Sequence, residues 1–180
     1  HSRGVTVEIL DGARQKFFWD LLAGKIADYD YVGLSVMTTQ IPGALAICCF
    51  IREKNSHCQI IWGGSHPTFF VRETASHPLI DIVNYGEGEL TTEEIVSGKN
   101  LAEIKGIAYK KDGEIVVNPP RELHNPAETP LFNWDLVPTE IRENLDLIPS
   151  LTSRGCPHQC TFCINAILKN RWRFRMVEQV

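Results

Sequence analysis

Apolar positions in the first half of the chain fall into two alternating rhythms. Val5, Val7 and Ile9 alternate with polar residues, the period of a half-buried strand, and Asp11-Gly12 ends the run. Phe17, Phe18, Leu21, Leu22 and Ile26 recur at three- and four-residue spacing, which predicts an amphipathic helix. Tyr31–Met37 predicts a buried strand, followed by a helix through Ala44, Leu45, Cys48, Cys49 and Ile51. Gln59–Trp62 predicts a strand closed by Gly63-Gly64, Val71–Ser76 a short helix, and Asp81–Tyr85 a strand closed by Gly86. Thr91 and Glu94 are spaced as a capping box for a helix running to Ser97. Strands beginning near Val5, Tyr31, Gln59 and Asp81, with helical stretches between, have the rhythm of right-handed βαβ units. Such strands lie parallel with helices on both faces, so the pattern predicts a three-layer α/β domain over residues 1–97.

Beyond residue 97 the pattern changes. Ile104–Tyr109 and Glu114–Asn118 flank Lys110-Lys111-Asp112-Gly113, and Asp-Gly between apolar runs predicts a β-hairpin. Pro119, Pro120, Pro126, Pro130, Pro138 and Pro149 then break regular structure, so residues 98–148 read as hairpin plus extended linker. Phe132 and Trp134 are expected to pin this linker by burying their rings, and Glu140–Asn144 to form a short helix. Ile148–Thr152 predicts a further strand leading into Ser153-Arg154-Gly155-Cys156, so that residues 149–180 open a second structural unit.

Composition narrows the function classes. A net charge of −4 argues against a nucleic-acid binder built on a basic field. Apolar runs such as Pro42–Ile51 stop well short of the ~20 residues of a membrane span. The six cysteines are too sparse for a disulfide scaffold, and three of them crowd into one segment, which suits a reduced, cytoplasmic protein with one cysteine-rich site. Cys48 and Cys49, on a helix, read as core fillers.

That segment, Cys156-Pro157-His158-Gln159-Cys160-Thr161-Phe162-Cys163, sets three thiolates within eight residues, close enough along the chain to bind one metal centre. Iron–sulfur clusters are held by thiolates at such short spacing. Structural zinc is the alternative, with His158 as a fourth donor awkwardly placed inside the loop. The C-x3-C-x-aromatic-C run, preceded by Ser-Arg-Gly after a strand, resembles the cluster loop of radical S-adenosylmethionine (SAM) enzymes. The resemblance implies that Cys156, Cys160 and Cys163 bind three irons of a 4Fe-4S cluster, the fourth iron chelating SAM, with Phe162 near the adenine. It also implies a radical reaction on a small-molecule substrate and an electron donor such as flavodoxin or ferredoxin. Arg171, Arg173 and Arg175 resemble the start of that family's first helix, although a solvated charged turn is the preferred reading over cofactor contact.

The α/β domain ahead of this loop resembles the flavodoxin-like (Rossmann-type) cobalamin-binding domain of one radical SAM subgroup, which includes the anaerobic Mg-protoporphyrin monomethyl ester cyclases and related methyltransferases. Folds of this kind bind ligands at the carboxyl ends of their strands. Ser35 and Thr38 match the first such loop, Gly63 and Gly64 the second, and Gly86, Glu87 and Gly88 the third. The twin glycine would let a nucleotide tail pack against bare backbone. His66 reads as a structural or surface histidine rather than a cobalt ligand, and no D-x-H-x-x-G occurs in the sequence. A cobalamin-free interaction domain attached to a radical enzyme is the rival reading. The resemblance further implies that the family's first strand and most of its SAM barrel lie outside these residues, so that the chain alone would be inactive. An unpaired strand edge could then support a homodimer.

Overall fold

The computed structural model describes residues 4–147, 150–168 and 171–179. These divide into two compact units, Gln15–Arg121 with the residues before Val7, and Val7–Arg14 with the residues from Glu122 onward. No helix among the described residues is long and apolar enough to cross a membrane.

The first unit is built on one mixed sheet. Its strands are β1 (Tyr31–Ser35), β2 (Gln59–Gly63), β3 (Ile82–Asn84), β4 (Ile107–Lys111) and β5 (Glu114–Val117), in that spatial order. The first three are parallel, with Ser35 opposite Gly63 and Trp62 opposite Val83. The predicted hairpin forms and extends the same sheet, β4 pairing antiparallel with both β3 and β5. Its turn places Asp112 at φ 52° and Gly113 at φ 82°, the two left-handed residues that a two-residue hairpin matched to strand twist requires.

Helices α1 (Phe18–Lys25), α2 (Ile41–Lys54), α3 (Ser65–Phe69), α4 (Val71–Ser76) and α5 (Glu89–Val96) fill the connections. In α2, Pro42 sits in the first turn and Arg52 and Lys54 in the last, both favoured placements, and Ala44, Cys48 and Ile51 form the buried stripe. Asn55 stops it: its side chain accepts from Cys58 N at 3.1 Å and donates to Ile26 O at 2.9 Å, which turns the chain into β2.

Successive residues of β2 show that both sheet faces are covered. Ile61 joins Ile82, Ile95, Ile104, Ile107 and Tyr109 in a core beneath α5. The next residue, Trp62, points the opposite way and donates its indole N–H to Cys48 Sγ of α2 at 3.2 Å. Each fully buried isoleucine is worth about 2 kcal/mol over an exposed one, more than a surface ion pair at about 0.5 kcal/mol. Arg52 of α2 ties the opposite, amino end of the strands, pairing with Asp81, which also accepts from Ile60 N at 2.6 Å.

Three local expectations are corrected. Val5–Ile9 forms no strand; alternation makes a strand only where a ladder accepts it, and none does among the described residues. Thr91 and Glu94 form no capping box, because α5 begins at Glu89 and both face other partners. Thr91 Oγ1 donates to Lys105 O and accepts from Arg121 Nε, while the Glu94 carboxylate pairs with Lys99 and Arg121. Cys49 is exposed, so only Cys48 of that pair fills the core.

In the second unit the prolines leave short turns, and Asn125 and Asn133 start two of them by accepting from Ala127 N and Asp135 N. Phe132 and Trp134 touch edge to face at 5.0 Å, but Phe132 stays exposed instead of anchoring the linker. Helix α6 (Thr139–Arg142) matches the short helix expected there. Part of the strand predicted over Ile148–Thr152 lies outside the described residues. Pairing is seen from Ser153, where β6 (Ser153–Arg154) runs antiparallel to β7 (Arg173–Phe174), with α7 (Ile164–Leu168) between them.

Hydrogen bonding from Lys99, followed by that of Arg121, holds the Glu94 carboxyl below the ordinary glutamate range. A depressed folded-state pKa gives stability that is full above the unfolded value and is lost as pH falls through the folded one. Glu94→Gln is therefore expected to lower the urea midpoint at neutral pH, and its difference from the parent to vanish on acidification. A difference independent of pH would contradict this pairing.

Candidate functional site

The carboxyl ends of β1, β2 and β3 lie side by side and bring the three predicted loops together. The loops after β1 and β2 are joined backbone to backbone, Val36 N donating to Gly63 O at 2.8 Å and His66 N to Val36 O at 3.0 Å. Gly64 makes this approach possible. Its φ of 95° and ψ of −167° belong to a region that only glycine visits freely. A Cβ there would stand 2.8 Å from Val36 N and 3.1 Å from Ser35 Oγ. A Cβ on Gly63 would meet only Asn84 O at 3.7 Å, an ordinary contact.

The third loop is tied in through a residue that the sequence did not single out. Thr68 Oγ1 donates to Gly64 O at 2.8 Å and accepts from Gly86 N at 3.1 Å, so one hydroxyl links the second and third loops. Glu87 is half-buried between Gly86 and Gly88. Gly88 lies over Asn84, whose Nδ2 donates to Gly88 O and to Thr92 Oγ1. Thr38 Oγ1 is 3.2 Å from His66 Nδ1, and the His66 ring stacks on Phe70, so this histidine braces the first two loops. Ser35, Met37 and Thr38 remain exposed beside the seam.

Asn84 is the second residue missed. It is 5% exposed, and its Oδ1 is buried with no hydrogen-bond partner among the described residues. The available signal was a lone polar residue closing the apolar run Ile82-Val83. A floor of exposed Ser35 and bare Gly63 backbone, with Thr38 beside it, fits an extended ligand that packs against main chain, as the tail of cobalamin would.

The cysteine loop hangs between β6 and β7. Cys163 N donates to Cys160 O at 3.0 Å, folding a turn that leads directly into α7. Cys160 is exposed, Cys156 and Cys163 are half-buried, and all three are free thiols. No three His, Cys, Asp or Glu side chains stand close enough to hold a metal ion among the described residues. In chemistry and access the donor set fits an iron–sulfur cluster, with the sulfurs still to be gathered. Phe162 is 92% exposed. Arg173 and Arg175 are half-buried and lie in or beside β7, which corrects both the helix start and the solvated turn; Arg171 is exposed.

A sheet covered on both faces, with the loops of its three parallel strands gathered at their carboxyl ends, defines a ligand-binding α/β domain. The chain belongs to the B12-binding domain family, which matches residues 1–96. It is 35% identical to the uncharacterized methyltransferase PH0819 of Pyrococcus horikoshii, aligned over 97% of this chain and 40% of that protein. It is 28% identical to the anaerobic magnesium-protoporphyrin IX monomethyl ester cyclase of Synechocystis, over 80% of this chain and 30% of the relative. Among solved structures it is similar to OxsB, a cobalamin-dependent SAM radical enzyme with aqua-cobalamin and SAM bound, at a TM-score of 0.69 and 28% identity, covering 89% of this chain and 23% of that one. The chain thus spans less than half the length of these relatives.

Gly64→Ala should destabilise the first unit by about 2 kcal/mol, since it strains the backbone and drives a methyl into Val36. Gly33→Ala, in β1 with nothing within 4 Å of the added carbon, is the control and should unfold like the parent. Equal denaturation midpoints for all three proteins would show that the seam is not tight.

Proposed function

We propose that this chain supplies the cobalamin-binding domain and the cluster loop of a radical SAM enzyme of methyltransferase or oxidative-cyclase type. The observation that carries the reading is the succession on one chain of a glycine-floored strand-end site and a C-x3-C-x2-C loop. Ser35, Thr38, Gly63, Gly64, Gly86, Glu87 and Gly88 are assigned to cobalamin, and Asn84 supports the third loop through Gly88 and Thr92. Cys156, Cys160 and Cys163 are assigned to a 4Fe-4S cluster, and Phe162 to the adenine of SAM.

When bound, the cluster held by Cys156, Cys160 and Cys163 would supply an electron to SAM, and cobalamin would supply a methyl carrier. The chain's own part is to bind and orient. The seam of Val36, Gly63 and His66 sets the floor, and Thr68 fixes the third loop against the second. None of its histidines is assigned to cobalt; His66 Nδ1 is engaged with Thr38. The exposed thiol of Cys160 calls for a reducing, cytoplasmic setting, and a small redox protein is the fitting electron donor.

Titration of the full-length protein with hydroxocobalamin, followed by its absorbance, tests the first assignment. Gly63→Ala should weaken binding about tenfold with an unchanged unfolding midpoint, because its Cβ meets only an ordinary contact in the fold. No binding by the parent at tens of micromolar would favour a cobalamin-free interaction domain instead.

Anaerobic reconstitution with iron and sulfide tests the second. A brown chromophore lost on Cys156→Ser, Cys160→Ser or Cys163→Ser is expected, and a colourless zinc adduct would replace this assignment with a structural zinc site.

A further inference from the structure

The hairpin that closes the cysteine loop is too slight to hold itself. Its ladder has two residue pairs, Ser153 with Phe174 and Arg154 with Arg173, extended by Arg175 N donating to Thr152 O at 2.9 Å. Isolated two-stranded ribbons, even longer ones, are marginal in water. Between the strands, residues 155–172 carry all three thiols.

What holds the base is a pair of guanidinium groups. Arg173 Nη1 donates to His124 O. Arg175 Nη1 donates to Thr129 O at 2.7 Å and its Nη2 to Pro130 O at 3.3 Å. These carbonyls bracket the turn Pro126–Glu128, which Asn125 starts and whose Pro126 is buried. Hydrogen bonds from a cation are the stronger kind, and the planar fork of a guanidinium holds two neighbouring carbonyls in a fixed geometry. Arg175 Nε is itself buried with no hydrogen-bond partner among the described residues, as is Thr129 Oγ1. The Nε edge of the Arg175 guanidinium is thus withdrawn from water, while Nη2 meets Pro130 O at the surface.

We propose that Arg173 and Arg175 are positioning residues for the iron–sulfur loop. They clamp the base of the β6–β7 hairpin to the linker carbonyls of His124, Thr129 and Pro130, and so fix where Cys156 leaves β6 and where the chain returns after α7. The proposal rests on the assignment of Cys156, Cys160 and Cys163 to a cluster. It gives the linker a task beyond spacing, since its backbone is the surface on which the loop is mounted.

The test compares full-length protein with the Arg173→Met/Arg175→Met double variant and with Arg175→Lys, all reconstituted anaerobically with iron and sulfide. Apparent iron affinity against a chelator should fall about tenfold in the double variant, as when an outer-sphere support is removed. The electron paramagnetic resonance line of the reduced protein should broaden, its midpoint potential should shift, and Arg175→Lys should lie between. Amide exchange of β2–β4 should match the parent, which separates loosening of the loop from general unfolding. If the double variant does not fold, Arg175→Lys carries the same readouts alone. Parental iron affinity, line shape and potential in the variants would overturn the proposal and leave the cluster assignment standing. A parent that takes up no iron–sulfur cluster would instead overturn that assignment, and the proposal with it.

Discussion

The carboxyl edge of the sheet depends on one close approach, the backbone of the loop after β2 against that of the loop after β1. Val36 is the shared partner, giving its N–H to Gly63 O and its carbonyl to His66 N. Both bonds need the chain at Gly64 to turn through a conformation closed to side chains, into space where a methyl would overlap Val36. The rest follows from that seam. It places Ser35 beside bare backbone, brings Thr38 within reach of His66, and leaves Gly64 O free to accept from Thr68, which in turn holds Gly86. A tight backbone junction is thus the origin of a floor on which a ligand can lie.

Legibility in the sequence divided along the same physical line. Helices α1 and α2 and strands β1 to β3 were readable because each carries its own apolar pattern, and the hairpin because Asp112-Gly113 is suited to left-handed turn geometry. The twin glycine was readable as a place of close approach, though its close neighbour is the protein's own Val36. What stayed hidden depends on distant residues. Thr68 sits in a helix of five residues with no distinguishing pattern, and its importance lies in meeting Gly86. Thr91 and Glu94 have the spacing of a cap, but Arg121, far along the chain, engages both. Val5–Ile9 failed for the complementary reason, since a strand needs a neighbour that its own alternation cannot supply.

The arginines near the chain's end show the same limit from the side of charge. Arg171, Arg173 and Arg175 alternate with Trp172 and Phe174, a pattern that suits strand or surface equally well. Charge alone favoured solvent, because isolated cations are seldom withdrawn from water. The deciding term is the supply of acceptors. Proline removes a backbone donor but leaves its carbonyl, and a segment of short turns has few internal bonds to occupy such groups. Pro130 O and its neighbour Thr129 O meet Arg175, and His124 O meets Arg173. A proline-studded stretch is thereby a row of unclaimed acceptors as much as a spacer.

The two candidate sites also differ in how far they are built before anything binds. The strand-end floor is held by backbone bonds at 2.8 and 3.0 Å and by Thr68, so a ligand meets a surface already ordered, and little conformational entropy is lost on contact. The cysteine loop is the opposite case. Its thiols are free and stand apart, and Cys160 and Phe162 are exposed, so a metal bound there would have to draw its own ligands together. Coordination there would be coupled to ordering of the loop, which would take up part of the binding free energy. Fixing the ends of such a loop reduces the cost, because a chain held at both termini has fewer conformations to lose. The preformed floor and the clamped but open loop are two answers to one constraint: the first is ordered before a ligand arrives, and the second has its ends fixed so that less order remains to be gained.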